Sequence, residues 1–195
     1  MIQSTKKNRS GGRALEVVNS VHKATIELIQ ELGYEQTEIP AIAERAGVNK
    51  TSIYRRWPNK ADLVIDVALT HINVDIPIPN TGCLSEDLFL LLKNISITIN
   101  TPFAKGVLIA IITHQDDINL NKAQTLFWNE RYDHSSQIIQ RAIARKELTE
   151  DTNCRLMLEI ATAPLFHSTL LTGRIKSDSE IKIIVDKVIL AFKNN

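Results

Sequence analysis

Two short helical segments joined at a glycine, between Thr37 and Trp57, restrict the possible folds of this chain more than any other part of its sequence. Thr37 is a good N-cap for the first segment, and Pro40 falls in its first turn, where a missing backbone N–H costs little. Gly47 can adopt the positive φ that a tight turn requires, and Asn49 can cap the second segment. The apolar residues of both segments recur at helical spacing: Ile39, Ile42, Ala43, Ala46 and Ile53. This pattern predicts a helix-turn-helix whose small core is closed by Trp57.

The second of these helices is cationic and rich in hydroxyl groups once Ile53 is assigned to the core. From Asn49 to Lys60 the sequence carries four positive charges and no negative charge. Such side chains donate hydrogen bonds to phosphates, and Arg and Thr can also contact bases in the major groove. The residues available to DNA on this helix are Lys50, Thr51, Ser52, Tyr54, Arg55 and Arg56. The alternative is an αα-hairpin with a solvated basic face, but the glycine, the spacing and the charge together favour DNA binding.

A third helix is predicted to begin directly after this pair. Asn59 is expected to cap it, and Asp62, three residues later, resembles the second member of a capping box. Lys60, beside the first free amides of the helix, is in a position to bind a phosphate. The simpler alternative is a well-capped helix with no DNA contact.

Composition and charge distribution exclude several classes of protein. The chain has 195 residues, of which 44% are hydrophobic and 23% charged, so wholesale disorder and collagen-like structure are excluded. Residues 1–62 hold ten basic and seven acidic residues, whereas residues 63–195 hold thirteen basic and fifteen acidic ones. No apolar stretch is long enough for a membrane span, and no apolar region follows the basic N-terminus as in a secretory signal. Cys83 and Cys154 have neither metal-ligand nor disulfide-framework spacing, so we expect a cytoplasmic protein without a membrane partner.

Helical periodicity extends along the whole chain and predicts an all-α fold of about nine helices. The first amphipathic helix is expected to end at Gly33 in the left-handed conformation. The proline-rich stretch 75–82 is predicted to be an extended connection. Beyond it, apolar-periodic segments lie near 84–100, 103–116, 120–146, 151–173 and 178–193.

An ordered set of motifs between Ala14 and Val67 resembles the TetR family of bacterial transcriptional regulators. The set comprises a first helix ending in Glu31-Leu-Gly-Tyr34, the segment from Thr37 to Trp57, and Asn59-Lys60-Ala-Asp-Leu63. A stretch near the C-terminus, Pro164–Gly173, is similar to the penultimate helix of one subgroup of these regulators.

The resemblance implies an Ω-shaped, all-α homodimer. A three-helix DNA-binding head would occupy residues 1–62, and an effector-binding and dimerisation domain residues 63–195. It also implies operator contacts at Thr37, Lys50, Thr51, Ser52, Tyr54, Arg55, Arg56 and Lys60. Two positions depart from the family pattern, since Pro40 replaces a frequently basic residue and Trp57 a usual Phe.

The second half contains aromatic, aliphatic and polar residues that are candidates for lining an effector pocket. They are Phe103, Ile111, His114, Phe127, Trp128, Phe166 and His167. The alternative is ordinary helix packing with a few satisfied polar groups. The pair Glu130 and His134 needs further ligands to hold a metal, so we expect neither a metal site nor a cofactor. Residues 133–136 include the residue types of a catalytic triad, but neighbours along a helix point apart, so we expect no catalytic site.

The two last helices, near 151–173 and 178–193, are apolar around most of their circumference. Such helices are buried either in the monomer or against a second copy, and a four-helix dimer interface is expected. The sequence therefore predicts a dimeric, ligand-responsive repressor that binds a palindromic operator and is released by a small-molecule effector. One alternative is a TetR-like effector-binding protein that acts through protein partners without binding an operator. A small enzyme is disfavoured, because the sequence has no nucleophile elbow, phosphate loop or metal cluster.

Overall fold

The computed structural model describes residues 9–193, except for the side chains of residues 9–13 and 72–75. Over this range the chain is helical and contains no strand, which confirms the predicted all-α class. The helices are α1 (Arg9–Gln36), α2 (Ile39–Ala46), α3 (Lys50–Arg56), α4 (Lys60–Asp75), α5 (Leu84–Ile99), α6 (Pro102–Thr113), α7 (Ile118–Ala144), α8 (Cys154–His167) and α9 (Asp178–Lys193), with a π-helical turn at Ser168–Thr172.

The chain divides into two compact units, one ending at Val67 and the other beginning at Ala68. This division falls inside α4, whereas the sequence placed it between residues 62 and 63. Within the described range no single helix is long and apolar enough to cross a membrane. Only α5 and α6 together meet that criterion, and this pair is bent by 84°.

The first unit begins with a long helix that is interrupted near its end. At Gly33 the backbone has φ 79° and ψ 169°, a conformation that is essentially confined to glycine. The break at Gly33 and its positive φ agree with the prediction. Its ψ lies outside the left-handed helical region, and a further turn continues to Gln36.

The prediction that Thr37 caps α2 is wrong. Glu38 precedes this helix and makes no side-chain capping bond. The Thr37 side chain is fully buried, and its hydroxyl donates a 2.7 Å hydrogen bond to the carbonyl oxygen of Gly33. The physical reason is that the break in α1 leaves this carbonyl near a helix end, where it needs a donor from outside the regular helix.

The turn between α2 and α3 has the predicted form. Gly47 adopts the left-handed conformation, with φ 66° and ψ 31°, and its N–H donates to the carbonyl oxygens of Ala43 and Glu44. Asn49 then caps α3, its side-chain oxygen accepting a 2.9 Å bond from the backbone N–H of Thr51. These local bonds set where α3 begins.

The second unit is built around α5, which packs against α7, α8 and α9. Its core consists of aliphatic side chains from these four helices: Leu88, Leu91, Leu92, Ile138, Ile139, Met157, Leu158, Ile181 and Val185. Burying each such side chain contributes about 1.5–3 kcal/mol, so this cluster is the main source of stability in the unit.

The connection between α4 and α5 is held to the second unit by polar contacts. The buried carboxylate of Asp87 accepts bonds from the backbone N–H and the hydroxyl of Thr81, at 2.6 and 2.8 Å. Arg141 donates to the carbonyl oxygen of Pro79, and Glu147 accepts a 3.0 Å bond from the backbone N–H of Leu84. The proline-rich stretch is therefore non-helical, as predicted, and also anchored.

The segment predicted as one helix over 151–173 consists of two different parts. Asn153 caps α8, accepting a 3.0 Å bond from the N–H of Leu156. Pro164 lies inside α8, where it lacks the N–H that a regular helix would use. The π-helical turn follows, and Gly173 ends it with φ 65°.

Candidate nucleic-acid interface

The helix α3 separates its apolar and polar residues sharply. Ile53 is fully buried and Trp57, which follows the helix, is 4% exposed. Lys50 and Arg55 are exposed, and Tyr54 retains 45% of its accessible surface. The helix therefore contributes one side chain to the core and offers most of the others to solvent.

Hydroxyl groups flank these charges. The Thr51 side chain is exposed, and its hydroxyl donates a 2.7 Å bond to the side-chain oxygen of Asn49. The Thr51 side chain therefore stays accessible to a ligand. Ser52 is half-buried and its backbone N–H donates to the carbonyl oxygen of Asn49 at 2.9 Å.

The positive charges of α3 are not neutralised within the described part of the chain. There, neither Lys50 nor Arg55 forms a side-chain hydrogen bond or ion pair, and α3 itself contains no acidic residue. The Arg56 guanidinium is exposed and lies 5.3 Å from the centre of the Trp57 ring. A short helix with free cations and hydroxyl groups can bind the phosphates and base edges of a duplex.

The arginine of the preceding helix differs from those of α3. Arg45 binds Glu31 of α1 at 2.6 Å. The hydrogen bond from Arg45 lowers the pKa of the Glu31 carboxyl below its usual value. This pair ties α2 to α1, so Arg45, unlike Lys50 and Arg55 of α3, has a carboxylate partner within the fold.

Lys60 has partners within the first unit, and its predicted role as a phosphate ligand stays a prediction. Its ammonium group donates to the carbonyl oxygens of Tyr34 and Glu35, at 3.0 and 3.2 Å, and lies 3.5 Å from Glu38. It also lies 4.5 Å from the centre of the Tyr34 ring, and its side chain is only 19% exposed. Because the ammonium is used at the end of α1, Lys60 is not a free cation. The fully buried Thr37 side chain is likewise not offered to DNA.

The start of α4 agrees with the capping prediction. Asn59 accepts a 2.9 Å bond from the backbone N–H of Asp62. Its side-chain amide donates to the Asp62 carboxylate at 2.7 Å, in place of the backbone donor of a standard capping box.

In the second unit, three of the predicted pocket residues form one aromatic cluster. Trp128 makes edge-on contacts with Phe127 and Phe166, with ring centres 5.0 and 5.5 Å apart. Tyr132 extends this cluster, its ring centre 6.0 Å from that of Trp128, and Arg155 lies 4.8 Å above the Tyr132 ring. Burial is the largest cause of the raised pKa of the Tyr132 phenol.

The other predicted pocket residues lie elsewhere. Phe103 is buried and contacts His71, with ring centres 6.3 Å apart. Nδ1 of His114 lies 3.0 Å from the carbonyl oxygen of Ala110, at the end of α6. His167 is exposed and Ile111 is half-buried. The structure therefore does not gather all seven residues into one site.

An open groove of about 400 Å³ runs between α7 and α8, beside the aromatic cluster. Its lining residues are Gln124, Thr125, Trp128, Asn129, Tyr132, Arg155 and Glu159. Of these, only Trp128 was predicted from the sequence. Helical spacing was the only sign in the sequence that the other residues line this groove. Trp128 and Tyr132 are four residues apart, as are Arg155 and Glu159, and residues at this spacing lie on the same face of a helix.

Metal ligands are not gathered anywhere in the described part of the chain. Within it, no group of three or more His, Cys, Asp or Glu side chains is arranged to hold a metal ion.

An exposed cationic helix after a glycine turn, in an all-α chain with a larger second unit, defines the class of helix-turn-helix DNA-binding proteins. Residues 22–67 match the profile described as bacterial regulatory proteins of the tetR family, and residues 78–188 match the tetracyclin repressor-like C-terminal domain. The chain belongs to the TetR family of bacterial transcriptional regulators.

Individual relatives agree with this assignment. The chain is 31% identical over 135 residues to the HTH-type transcriptional regulator AqdR of Rhodococcus erythropolis, an alignment that covers 69% of this chain and 65% of AqdR. The chain thus spans slightly less than two thirds of that relative's length. AqdR and a second relative, YdeS of Bacillus subtilis, are both named as transcriptional regulators, not as enzymes.

Solved structures show the same fold. The TetR family regulator SCO0332 superimposes with a TM-score of 0.75 at 22% identity, covering 89% of this chain and 97% of that one. The regulator FadR from Bacillus subtilis, solved in complex with stearoyl-CoA, gives a TM-score of 0.59 at 20% identity and covers 90% and 97% of the two chains.

Proposed function

We propose that this protein is a dimeric, ligand-responsive transcriptional repressor that binds a palindromic operator through α3 and is released by a small-molecule effector. The observation that carries the proposal is the unneutralised pair of cations on α3, Lys50 and Arg55, beside exposed hydroxyl groups. Six residues remain as proposed DNA contacts: Lys50, Thr51, Ser52, Tyr54, Arg55 and Arg56. A bacterial regulator that binds chromosomal DNA works in the cytoplasm, which is the location expected from the sequence.

The proposed dimer interface consists of α8, the π-helical turn and α9. The buried residues of these elements form one half of the surface of each helix, while large apolar side chains on the other half are exposed. Exposed fractions are 44% for Leu156, 46% for Ile160, 77% for Leu171, 58% for Ile183 and 54% for Leu190. These side chains are exposed on helices that pack against each other, and exposed apolar faces of this kind mark interaction sites, which supports their burial against a second copy.

Two-fold symmetry of such a dimer would require a two-fold-related operator. Half-sites would be about one helical turn apart, roughly 34–36 Å, or a multiple of this distance. Because phosphate contacts release counterions, affinity should fall steeply with increasing salt concentration.

The effector proposal rests on the family and on the aromatic cluster of the second unit. FadR, a structural neighbour, holds stearoyl-CoA, so a ligand site in this fold has a precedent. We expect the effector to contact the cluster around Trp128 and to shift the population of dimers away from the DNA-binding arrangement. The helix α4 contributes residues to both units, which makes it the expected element of transmission.

Selection of genomic fragments on the purified protein tests operator binding. We expect enrichment of fragments that contain an inverted repeat, with strong salt dependence. Failure to bind any fragment, at low and at moderate salt, would overturn the proposal and favour the alternative of a regulator that acts through protein partners.

The variant Arg55→Ala tests whether α3 reads the operator. If Arg55 contacts a base, specific binding should weaken by about 1–3 kcal/mol, with relaxed preference at one operator position. Arg174→Ala removes the same charge from an exposed site of the second unit and should bind normally. Equal titration curves for both variants and the parent would remove Arg55 from the interface.

A further inference from the structure

Three helices of the first unit meet at one carboxylate oxygen. The indole Nε1–H of Trp57 donates a 2.8 Å hydrogen bond to Oδ2 of Asp66, in α4. Nε2 of His22, in α1, lies 3.2 Å from the same oxygen. The His22 and Trp57 rings are also close, with centres 5.6 Å apart. This single oxygen therefore links α1, α4 and the residue that ends α3.

The recognition helix α3 has few other attachments to the rest of its unit. It contains seven residues, of which only Ile53 is buried. An isolated helix of this length is unstable in water, so its position depends on its ends and on the core. Asn49 fixes the first end by capping, and Trp57 fixes the second.

The contact at the second end differs in kind from simple apolar packing. Trp57 is 4% exposed, and its indole N–H is paired with a side chain on another helix. A buried N–H without an acceptor is costly, so the bond selects the orientation of the ring as well as its burial. Arg55 and Arg56 immediately precede this fixed point, so the orientation of Trp57 determines where their side chains begin.

We propose that Asp66 is a positioning residue for operator recognition. Its carboxylate accepts the Trp57 N–H and sets the position of the C-terminal end of α3, without itself contacting DNA. This inference rests on the proposed operator binding and adds a structural reason for its specificity. The side chain of Asp66 is 43% exposed, so losing it does not open a cavity in the core.

The main test is Trp57→Phe, which keeps an aromatic ring in the core but removes the hydrogen-bond donor together with part of the indole ring. The Asp66 variants described below leave the indole intact and so separate these two losses. Losing one such bond should weaken binding to the selected operator about fivefold to tenfold. Affinity for a DNA of scrambled sequence should stay unchanged, because all the cations of α3 remain. Thr25→Val, which removes a different buried side-chain hydrogen bond of the first unit, the 2.8 Å bond from the Thr25 hydroxyl to the carbonyl oxygen of Val21, is the matched control and should affect neither DNA.

Two further variants separate positioning from general stability. Asp66→Ala should reproduce the loss, although it also removes the contact with His22. The double variant Trp57→Phe/Asp66→Ala should bind no worse than Asp66→Ala alone, because both substitutions remove the same Trp57–Asp66 bond. Asp66→Asn keeps a side-chain oxygen for the indole and should bind the operator more tightly than Asp66→Ala. Circular dichroism should show every variant folded at the assay temperature.

The outcomes distinguish this inference from the proposed function. If the parent protein selects no DNA, the proposed function fails first. If the parent binds an operator and folded Trp57→Phe binds it equally well, the positioning role is wrong. Equal losses on operator and scrambled DNA, or fully additive losses in the double variant, would also overturn it.

Discussion

The ammonium group of Lys60 lies within hydrogen-bond distance of two carbonyl oxygens at the end of α1, those of Tyr34 and Glu35. Carbonyls at a helix C-terminus lack intrahelical donors and attract cations. The sequence shows only that a lysine follows a good N-cap, which equally suits a phosphate contact. The folded chain uses its charge internally instead.

Lys60→Ala should therefore act on stability. We expect the free energy of unfolding to fall by about 1 kcal/mol, because a partly exposed cation at a helix end contributes on this order. The slope of log affinity against log salt concentration should stay that of the parent, whereas loss of a phosphate contact would reduce it by about one.

Lys50→Ala is the comparison variant for this prediction. Lys50 is exposed on α3, so its removal should reduce the salt slope and leave the urea midpoint nearly unchanged. A reduced slope for Lys60→Ala at unchanged stability would restore its predicted role at the phosphates.

The roles of some single residues could be predicted from their neighbours in the sequence, and the roles of others could not. The capping function of Asn49 and the positive φ of Gly47 were predictable, because both depend on neighbours along the chain. The burial of Thr37 was not, since it follows from the break at Gly33. Helical periodicity cannot report a hydroxyl that turns back to a carbonyl of the preceding helix.

Among the helices, α9 begins with a capping box that was not predicted from the sequence. Glu180 accepts a 2.9 Å bond from the backbone N–H of Ser177, while its own N–H donates to the Ser177 hydroxyl at 3.3 Å. Lys176 also binds the Glu180 carboxylate, at 3.0 Å. The backbone N–H of Ser177 and then Lys176 lower the pKa of Glu180 from 4.5 to about 2.

This pKa predicts a pH dependence of stability. A carboxyl whose pKa is lower in the folded state stabilises that state above its unfolded pKa of 4.5, and the effect is lost as the pH falls towards 2. Glu180→Ala should therefore lower the urea midpoint at pH 7. The difference from the parent should shrink by more than half between pH 7 and pH 3.

Asp186→Ala serves as the control for Glu180, because it removes an exposed acidic residue from the same helix. Its effect on the urea midpoint should be small at both pH values. A difference between parent and Glu180→Ala that is constant over this pH range would show that the carboxylate does not act as a cap.

At the scale of the whole molecule, the proposed dimer depends on the exposed apolar residues of α8 and α9. Ile183 and Leu190 are seven residues apart and thus lie on one side of α9, opposite the buried Val185 and Val188. If this side is the interface between two copies, a carboxylate placed there would be buried without a partner, at high energetic cost.

Ile183→Asp should therefore convert the dimer into a monomer, and operator affinity should fall because only one half-site is then held at a time. Sedimentation velocity measures the first effect and a DNA titration the second. Gln137→Asp, which places the same charge at an exposed polar site of α7, should remain dimeric. A dimeric Ile183→Asp protein would show that the copies associate elsewhere, or that the apolar side of α9 has another use.

The amino-acid sequence by itself determined the all-α class, the helix-turn-helix and the cationic character of α3. These properties depend on periodicity, capping and turn residues, which act between near neighbours in the chain. Only the tertiary structure decided that Lys60 and Thr37 serve the fold, and that Trp57 and His22 share Asp66. His22 and Asp66 are 44 positions apart, and such a contact exists only after the helices pack, so no local pattern encodes it.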